Sequence, residues 1–294
     1  MLICERATIV NTIVGYPKEM RFFSTAERLA IGGIPFPSVE FRPTRRDALA
    51  YYRGVVESEN LPIALGCEVI GACPCDDGFL VETSQGTIRT RCIVVATGYF
   101  DQTNLLEAEG QESAEVHYYY DEAYRYFGRH ALVIGGRNSA VETALDLYRN
   151  GVDVTMIHRG SSFGSGLKYW IRPDIENRIA SGEIAMMFDT EVVLFDGRRV
   201  ELINRETGAK SQRMIDVTFA MIGYRPDVVV LESLSISYDT DTLVPVFDSM
   251  TFETEVPGLY LAGSVACGAR TWEIFIENGR EHAAIVAAEV AGRH

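Results

Sequence analysis

One stretch, residues 131–160, leaves few folds open to this chain. It reads ALVIGGRNSAVETALDLYRNGVDVTMIHRG. Residues 131–134 form a short apolar run, and Gly135-Gly136 breaks it where a phosphate needs close backbone approach to a helix N-terminus. Asn138 and Ser139 supply helix-start chemistry. Val141, Ala144, Leu145 and Tyr148 recur at three- and four-residue steps and make one face of a helix apolar, while Glu142, Asp146 and Arg149 point elsewhere. Gly151 stops the helix, and residues 152–157 read as the next strand. The pattern is a nucleotide-binding βαβ unit.

Two features of the unit bear on its ligand. The second strand ends in His158-Arg159, where a carboxylate for a ribose hydroxyl is usual; positive charge there favours a 2′-phosphate, hence NADP over NAD. The glycine fingerprint, read over Gly135, Gly136, Arg137, Asn138, Ser139 and Ala140, has arginine in place of its second key glycine. Arg137 either holds the dinucleotide at more distance or adds a guanidinium contact to its phosphates. A strand-turn-helix of this type that binds nothing is the alternative.

The rest of the chain must accommodate this unit. At 294 residues it has room for two domains. A net charge of −14 repels nucleic acid and anionic lipid, so no nucleic-acid or membrane partner is expected and any phosphate site must be local. No apolar run approaches the roughly 18 residues of a spanning helix, and the start MLICE lacks the features of a signal peptide, so the expected location is cytoplasmic. The six cysteines are scattered and read as reduced thiols. Cys73-Pro74-Cys75, with Cys67 nearby, is the one cluster that invites a metal or redox pair. No second ligand group lies beside it, and no metal is expected.

In chain order, residues 1–5 read as a strand closed by Glu5, and residues 9–34 as an ordered aromatic loop that either wraps a ligand or packs under a domain edge. Residues 44–59 form a helix with a Thr44/Asp47 capping box and a face of Leu49, Tyr52, Val55 and Val56. Short strands at 66–70, 79–83 and 87–91 make a meander. The apolar run 93–96 then ends in Thr97-Gly98. Downstream, Lys168 and Arg172 stand where they could complete a phosphate clamp beside Arg159, or lie on a solvated loop. A second meander spans 191–217, and the strand 216–222 ends in Gly223-Tyr224, repeating the strand-then-glycine ending at Gly98. A strand at 259–262 leads into Gly263 and a closing helix over 273–290.

Taken together, Ala96-Thr97-Gly98, the 135–140 turn with His158-Arg159, Gly223-Tyr224-Arg225-Pro226 and the closing Gly258 to Ser264 strand resemble the two-dinucleotide-binding-domain flavoproteins of the thioredoxin reductase-like group. Asn11, Tyr16-Pro17, Phe22-Phe23-Ser24, Tyr99-Phe100-Asp101 and Ile274 to Gly279 look most like bacillithiol disulfide reductase-type proteins. The resemblance implies an α/β fold of two Rossmann-like three-layer domains: an FAD domain over residues 1–108 and 236–294, and an inserted NADPH domain over 109–235. Electrons would pass from NADPH through FAD to a low-molecular-weight disulfide, in a chain that dimerises. Carried over residue by residue, Glu5 would hold the FAD ribose, Val69 would lie near adenine, and Ala96, Thr97 and Gly98 would line the cofactor. Tyr16, Pro17, Gly263 and Ser264 would border the flavin. Gly135, Gly136, Arg137, Asn138, Ser139, Ala140, His158 and Arg159 would hold NADPH.

Three departures qualify the match. The first strand and FAD glycine loop expected before Glu5 are missing, as in a shortened chain, and no cysteine inherits the reactive role that loop carries. No CxxC occurs, which argues against a dithiol thioredoxin reductase. Ser264 replaces an aspartate common in relatives, a weaker partner for the flavin side chain. A flavin monooxygenase-like enzyme and a nucleotide-binding module without redox activity are the competing expectations.

Overall fold

The computed structural model describes residues 1–293. The chain divides into two compact units, Met1–Gln102 with the segment from Tyr224 onward, and Thr103–Gly223 between them.

The inserted unit is built on the βαβ stretch. His130–Ile134 is the middle strand of a five-stranded parallel sheet, flanked by Asp153–Ile157 and then Ala185–Met187 on one side, and by Val217–Ala220 and then Val116–His117 on the other. Four of its five residues are buried, the near-continuous apolar run that a parallel sheet covered on both faces requires. The helix Asn138–Arg149 buries Ala140, Val141, Ala144, Leu145 and Leu147 against this sheet. Tyr148 lies at the edge of that face and donates its hydroxyl to Glu183 at 2.7 Å. The helix begins differently from the sequence expectation. Its cap position is Arg137, without a side-chain cap, and Asn138 uses its amide elsewhere. Thr190–Asp196, Arg199–Asn204 and Lys210–Met214 form the antiparallel meander, with Phe195, Val200 and Leu202 buried beneath it. Pro173 starts the helix Arg172–Ala180, a position where its missing N–H costs nothing.

In the outer unit, Ile3–Glu5 pairs in parallel with Ile63–Leu65, and Ile93–Val95 with Leu259–Leu261. The meander is Val69–Cys75, Gly78–Thr83 and Gly86–Thr90, so its first strand runs later than the expected 66–70 and contains Cys73-Pro74-Cys75. Thr44 and Asp47 close the expected capping box on the helix Arg45–Ser58. Its buried face is Ala48, Tyr51, Tyr52 and Val55 rather than one centred on Leu49 and Val56. The aromatic stretch before it contains two one-turn helices, Asn11–Val14 and Ala26–Leu29. It packs on that buried face: Phe36 stacks on Tyr51 at 4.2 Å, and the Tyr52 hydroxyl donates to the Leu29 carbonyl at 3.0 Å. Leu231, Leu234, Leu259, Leu261 and Val265 form a second core here. The closing helix is Ile276–Gly292. No helix among the described residues is long and apolar enough to cross a membrane.

Candidate nucleotide and flavin sites

In the inserted unit the glycine turn stands at the C-terminal end of the middle strand. Gly135 has φ +143°, donates its N–H to Ile157 at 2.9 Å, and has no room for a Cβ, which would lie 2.5 Å from the Met221 carbonyl oxygen. Ala140 is fully buried under it. The helix then presents its first-turn N–H groups past Gly136 and the exposed Arg137 and Ser139, the arrangement in which a helix start accepts phosphate. Asn138 holds the facing loop: its Oδ1 accepts from Lys168 N at 2.9 Å and its Nδ2 donates to Gly166 O at 3.1 Å.

His158 and Arg159 follow the second strand, and the His158 ring reaches the same turn. A Cβ on Gly136 would sit 2.5 Å from the His158 ring, so the imidazole covers that glycine. Burial, then the neighbouring charges of Arg159 and Arg137, hold His158 below its ordinary pKa. Arg159 is exposed, and no carboxylate among the described residues lies within ion-pair distance of it. Arg205, which no sequence motif marks, donates to the Arg159 carbonyl at 3.3 Å and pairs with Glu191 at 3.4 Å. It comes from the turn after Arg199–Asn204, and nothing in the sequence ties it to residue 159. Lys168 pairs with Glu142 at 2.7 Å and Arg172 with Glu176 at 3.2 Å, so both cations of the suggested clamp already have carboxylates. A turn with open N–H groups under His158, Arg159 and Arg137 fits a dinucleotide carrying an extra phosphate.

Because the folded pKa of His158 lies below the ordinary 6.5, the unfolded chain takes up a proton that the native state refuses, and stability falls as pH drops through about 6.5. His158→Gln, neutral throughout, should therefore lose less Tm than the parent between about pH 7.5 and pH 5.5 when no nucleotide is present. Equal losses in the two proteins would show that His158 is not held neutral.

In the outer unit, the residues expected around a flavin come from distant parts of the chain. Ala96 and Thr97 are exposed just beyond Ile93–Val95, and Gly98 has φ +71°. A Cβ on Gly98 would lie 3.3 Å from Ser264 Oγ, so these two positions meet. Tyr16 packs edge-on to Phe100 at 5.1 Å and next to Pro17; burial, then Tyr99 and Glu277, push its phenol far up. Gly263 donates its N–H to His282 Nδ1 at 3.3 Å. Glu5 accepts from Ala7 N at 2.8 Å, and the adjacent Arg6 pairs with Asp101 at 2.8 Å, joining the C-terminal ends of Ile3–Glu5 and Ile93–Val95. Val69 packs against the core that contains Val95 and Val265, one residue past Glu68, which lies 3.9 Å from Arg6.

Tyr99, Tyr224, Glu277 and His282 join this region in addition to the residues expected there. Tyr99 and Tyr224 stack at 6.5 Å, and burial, then Cys267 and Tyr224, push the Tyr99 phenol up to about 12. The two tyrosines carry a signal in the sequence, since each follows the glycine of one of the two matching strand endings. Exposed residues beyond the parallel strand Ile93–Val95, whose last residue Val95 is buried, with Gly98 and Ser264 meeting there and Tyr16 packed on Phe100, fit the aromatic end of a flavin.

This architecture, two Rossmann-like α/β domains with one inserted into the other, is that of FAD- and NAD(P)H-using oxidoreductases. Residues 1–263 match the pyridine nucleotide-disulphide oxidoreductase family, and the chain belongs to it. It is 37% identical to the bacilliredoxin reductase of Bacillus subtilis (strain 168), over 99% of this chain and 90% of that protein. The fold superposes on the bacillithiol disulfide reductase of Bacillus cereus with a TM-score of 0.95 at 35% identity, covering 100% of this chain and 91% of that one. Against the Staphylococcus aureus bacillithiol disulfide reductase the TM-score is 0.94 at 34% identity, covering 99% and 90%.

Proposed function

We propose that this protein is an NADPH-dependent, FAD-containing reductase of a low-molecular-weight disulfide of the bacillithiol type. The observation that carries the reading is likeness over nearly the whole chain to proteins of that name, at 34 to 37% identity. The inserted unit is the NADPH domain, and the outer unit is the FAD domain. The helix start at Asn138–Arg149 takes the pyrophosphate, and His158, Arg159 and Arg137 take the 2′-phosphate. Glu5, Val69, Ala96, Thr97, Gly98, Tyr16, Pro17, Gly263 and Ser264 border FAD, with Tyr99 and Tyr224 as further aromatic walls. When bound, FAD supplies the two-electron relay that these side chains cannot perform themselves. The protein's part is to hold the cofactors in register and exclude water. The balance is NADPH, a proton and one disulfide giving NADP and two thiols. A cytoplasmic, dimeric enzyme is in keeping with the reading.

The test is a visible spectrum of the purified chain before and after FAD addition, followed by NADPH oxidation with and without bacillithiol disulfide. A bound flavin spectrum and oxidation that requires the disulfide are expected. Oxidation that instead yields hydrogen peroxide would favour monooxygenase-type chemistry. A colourless protein that FAD does not reconstitute would leave a nucleotide-binding module without redox activity.

A further inference from the structure

The sequence draws attention to Cys73 and Cys75, but the fold pairs two other cysteines. Cys73 and Cys75 lie two residues apart in the strand Val69–Cys75, with Cys73 exposed. Same-face neighbours along a strand stand about 7 Å apart, beyond the roughly 4 Å between Cβ atoms that a disulfide needs. Cys4 and Cys67, 63 positions apart in sequence, instead come together at the end of a parallel strand pair. Cys4 lies opposite Ala64 in the register of Ile3–Glu5 with Ile63–Leu65, and Cys67 donates its N–H to the Glu5 carbonyl at 3.0 Å just beyond. That bond sets Cys67 beside the residue that follows Cys4, and Cys67 adds to the upward shift of the Cys4 thiol, as a neighbouring side chain does. Cys4 is partly exposed and Cys67 is buried, so one sulfur is open to a reagent and the other is shielded behind it.

We propose that Cys4 and Cys67 form an oxidisable dithiol, a modification site in which a low-molecular-weight disulfide converts the pair to an intramolecular disulfide. Cys4, as thiolate, attacks one sulfur of the reagent, the reagent's S–S bond breaks, and one small thiol leaves with a proton. Cys67 then gives up its proton and attacks Cys4 in the mixed disulfide, expelling the second small thiol. The two cysteines lose two electrons and two protons, and the reagent gains them. The product fixes the end of the Ile3–Glu5 strand, where Glu5 stands, to the turn after Ile63–Leu65. Burial, then contact with Cys67, raises the Cys4 thiol above its ordinary pKa, so the exchange is best run at about pH 8.5. The inference is independent of the cofactor assignments, because the reaction needs neither FAD nor NADPH.

The full chain, reduced and then freed of reductant, is treated with oxidised glutathione, alkylated and cut after glutamate. The sequence then leaves Cys4 in residues 1–5, Cys67 in 60–68, and Cys73 with Cys75 in 69–82. The expected result is a loss of two of the six free thiols, a mass loss of about 2 Da before digestion, and fragments 1–5 and 60–68 joined. In Cys67→Ala the exchange should stop halfway, with glutathione held on Cys4. In Cys4→Ala, fragment 60–68 should be recovered unmodified. Six thiols remaining, linkage confined to 69–82, or Cys4 of the Cys67→Ala protein recovered without glutathione would each overturn the proposal.

Discussion

Gly135→Ala is expected to disable the inserted unit. At φ +143° an alanine carries a strain of about 1–3 kcal/mol, and its Cβ would lie 2.5 Å from the Met221 carbonyl oxygen and 2.9 Å from the Ala140 side chain. Neither neighbour can give way cheaply. The carbonyl belongs to backbone just past Val217–Ala220, and Ala140 is wedged beneath the turn at the start of the helix. The chain must move the turn itself, so the helix N–H groups lose their aim. We expect a stability loss of about 3 kcal/mol or more in urea unfolding, and a fall in kcat/KM for NADPH of about 100-fold or more. Gly136→Ala is the informative contrast. Its Cβ would first meet the His158 ring at 2.5 Å, a side chain rather than backbone, so stability should suffer less than in Gly135→Ala while nucleotide binding still falls. If Gly135→Ala unfolded and turned over like the parent, the turn would not be the rigid element described.

Arg159→Ala has the second large effect, and it is selective. The exposed guanidinium beside His158 has no carboxylate of its own among the described residues, so it is available to a 2′-phosphate. Losing one charge-assisted contact costs about 1.5–3 kcal/mol, equivalent to roughly 10- to 150-fold in affinity. KM for NADPH should rise by that factor while KM for NADH stays nearly constant, and the gap should narrow in high salt. Arg159→Lys should recover part of the loss, because the charge returns without the two-pronged donor geometry. Parallel losses for NADPH and NADH would remove Arg159 from the phosphate site. Arg205→Ala should act in the same direction more weakly, since Arg205 reaches the Arg159 backbone and shares its charge with Glu191.

Much of this architecture is legible in the amino-acid sequence. The βαβ unit, both meanders, the helix with its Thr44 and Asp47 cap, and the closing helix are fixed by local rules: apolar period, glycine at turns, and capping side chains within three residues of the backbone they serve. The cationic His158-Arg159 pair is legible for the same reason, because strand ends and helix starts of a βαβ unit have a set order along the chain. Where local signals are weak, they mislead. The stretch before Arg45–Ser58 lacks any period, yet it folds into two one-turn helices, because Tyr51 and Tyr52 offer it an aromatic face to pack on.

What the sequence by itself determined is therefore the class of fold and the strand-glycine-helix turn of the inserted unit with its His158-Arg159 pair. That turn is encoded in residues a few positions apart, whereas the residues expected around a flavin are spread from Glu5 to Ser264. Tertiary structure alone decided which distant groups touch: Tyr16 with Phe100, Arg205 with the Arg159 carbonyl, and the Cys67 N–H with the Glu5 carbonyl. The reason is physical. Parallel strands and meanders place residues tens to hundreds of positions apart side by side, and that register is set by burial of whole faces rather than by any motif near the residues themselves.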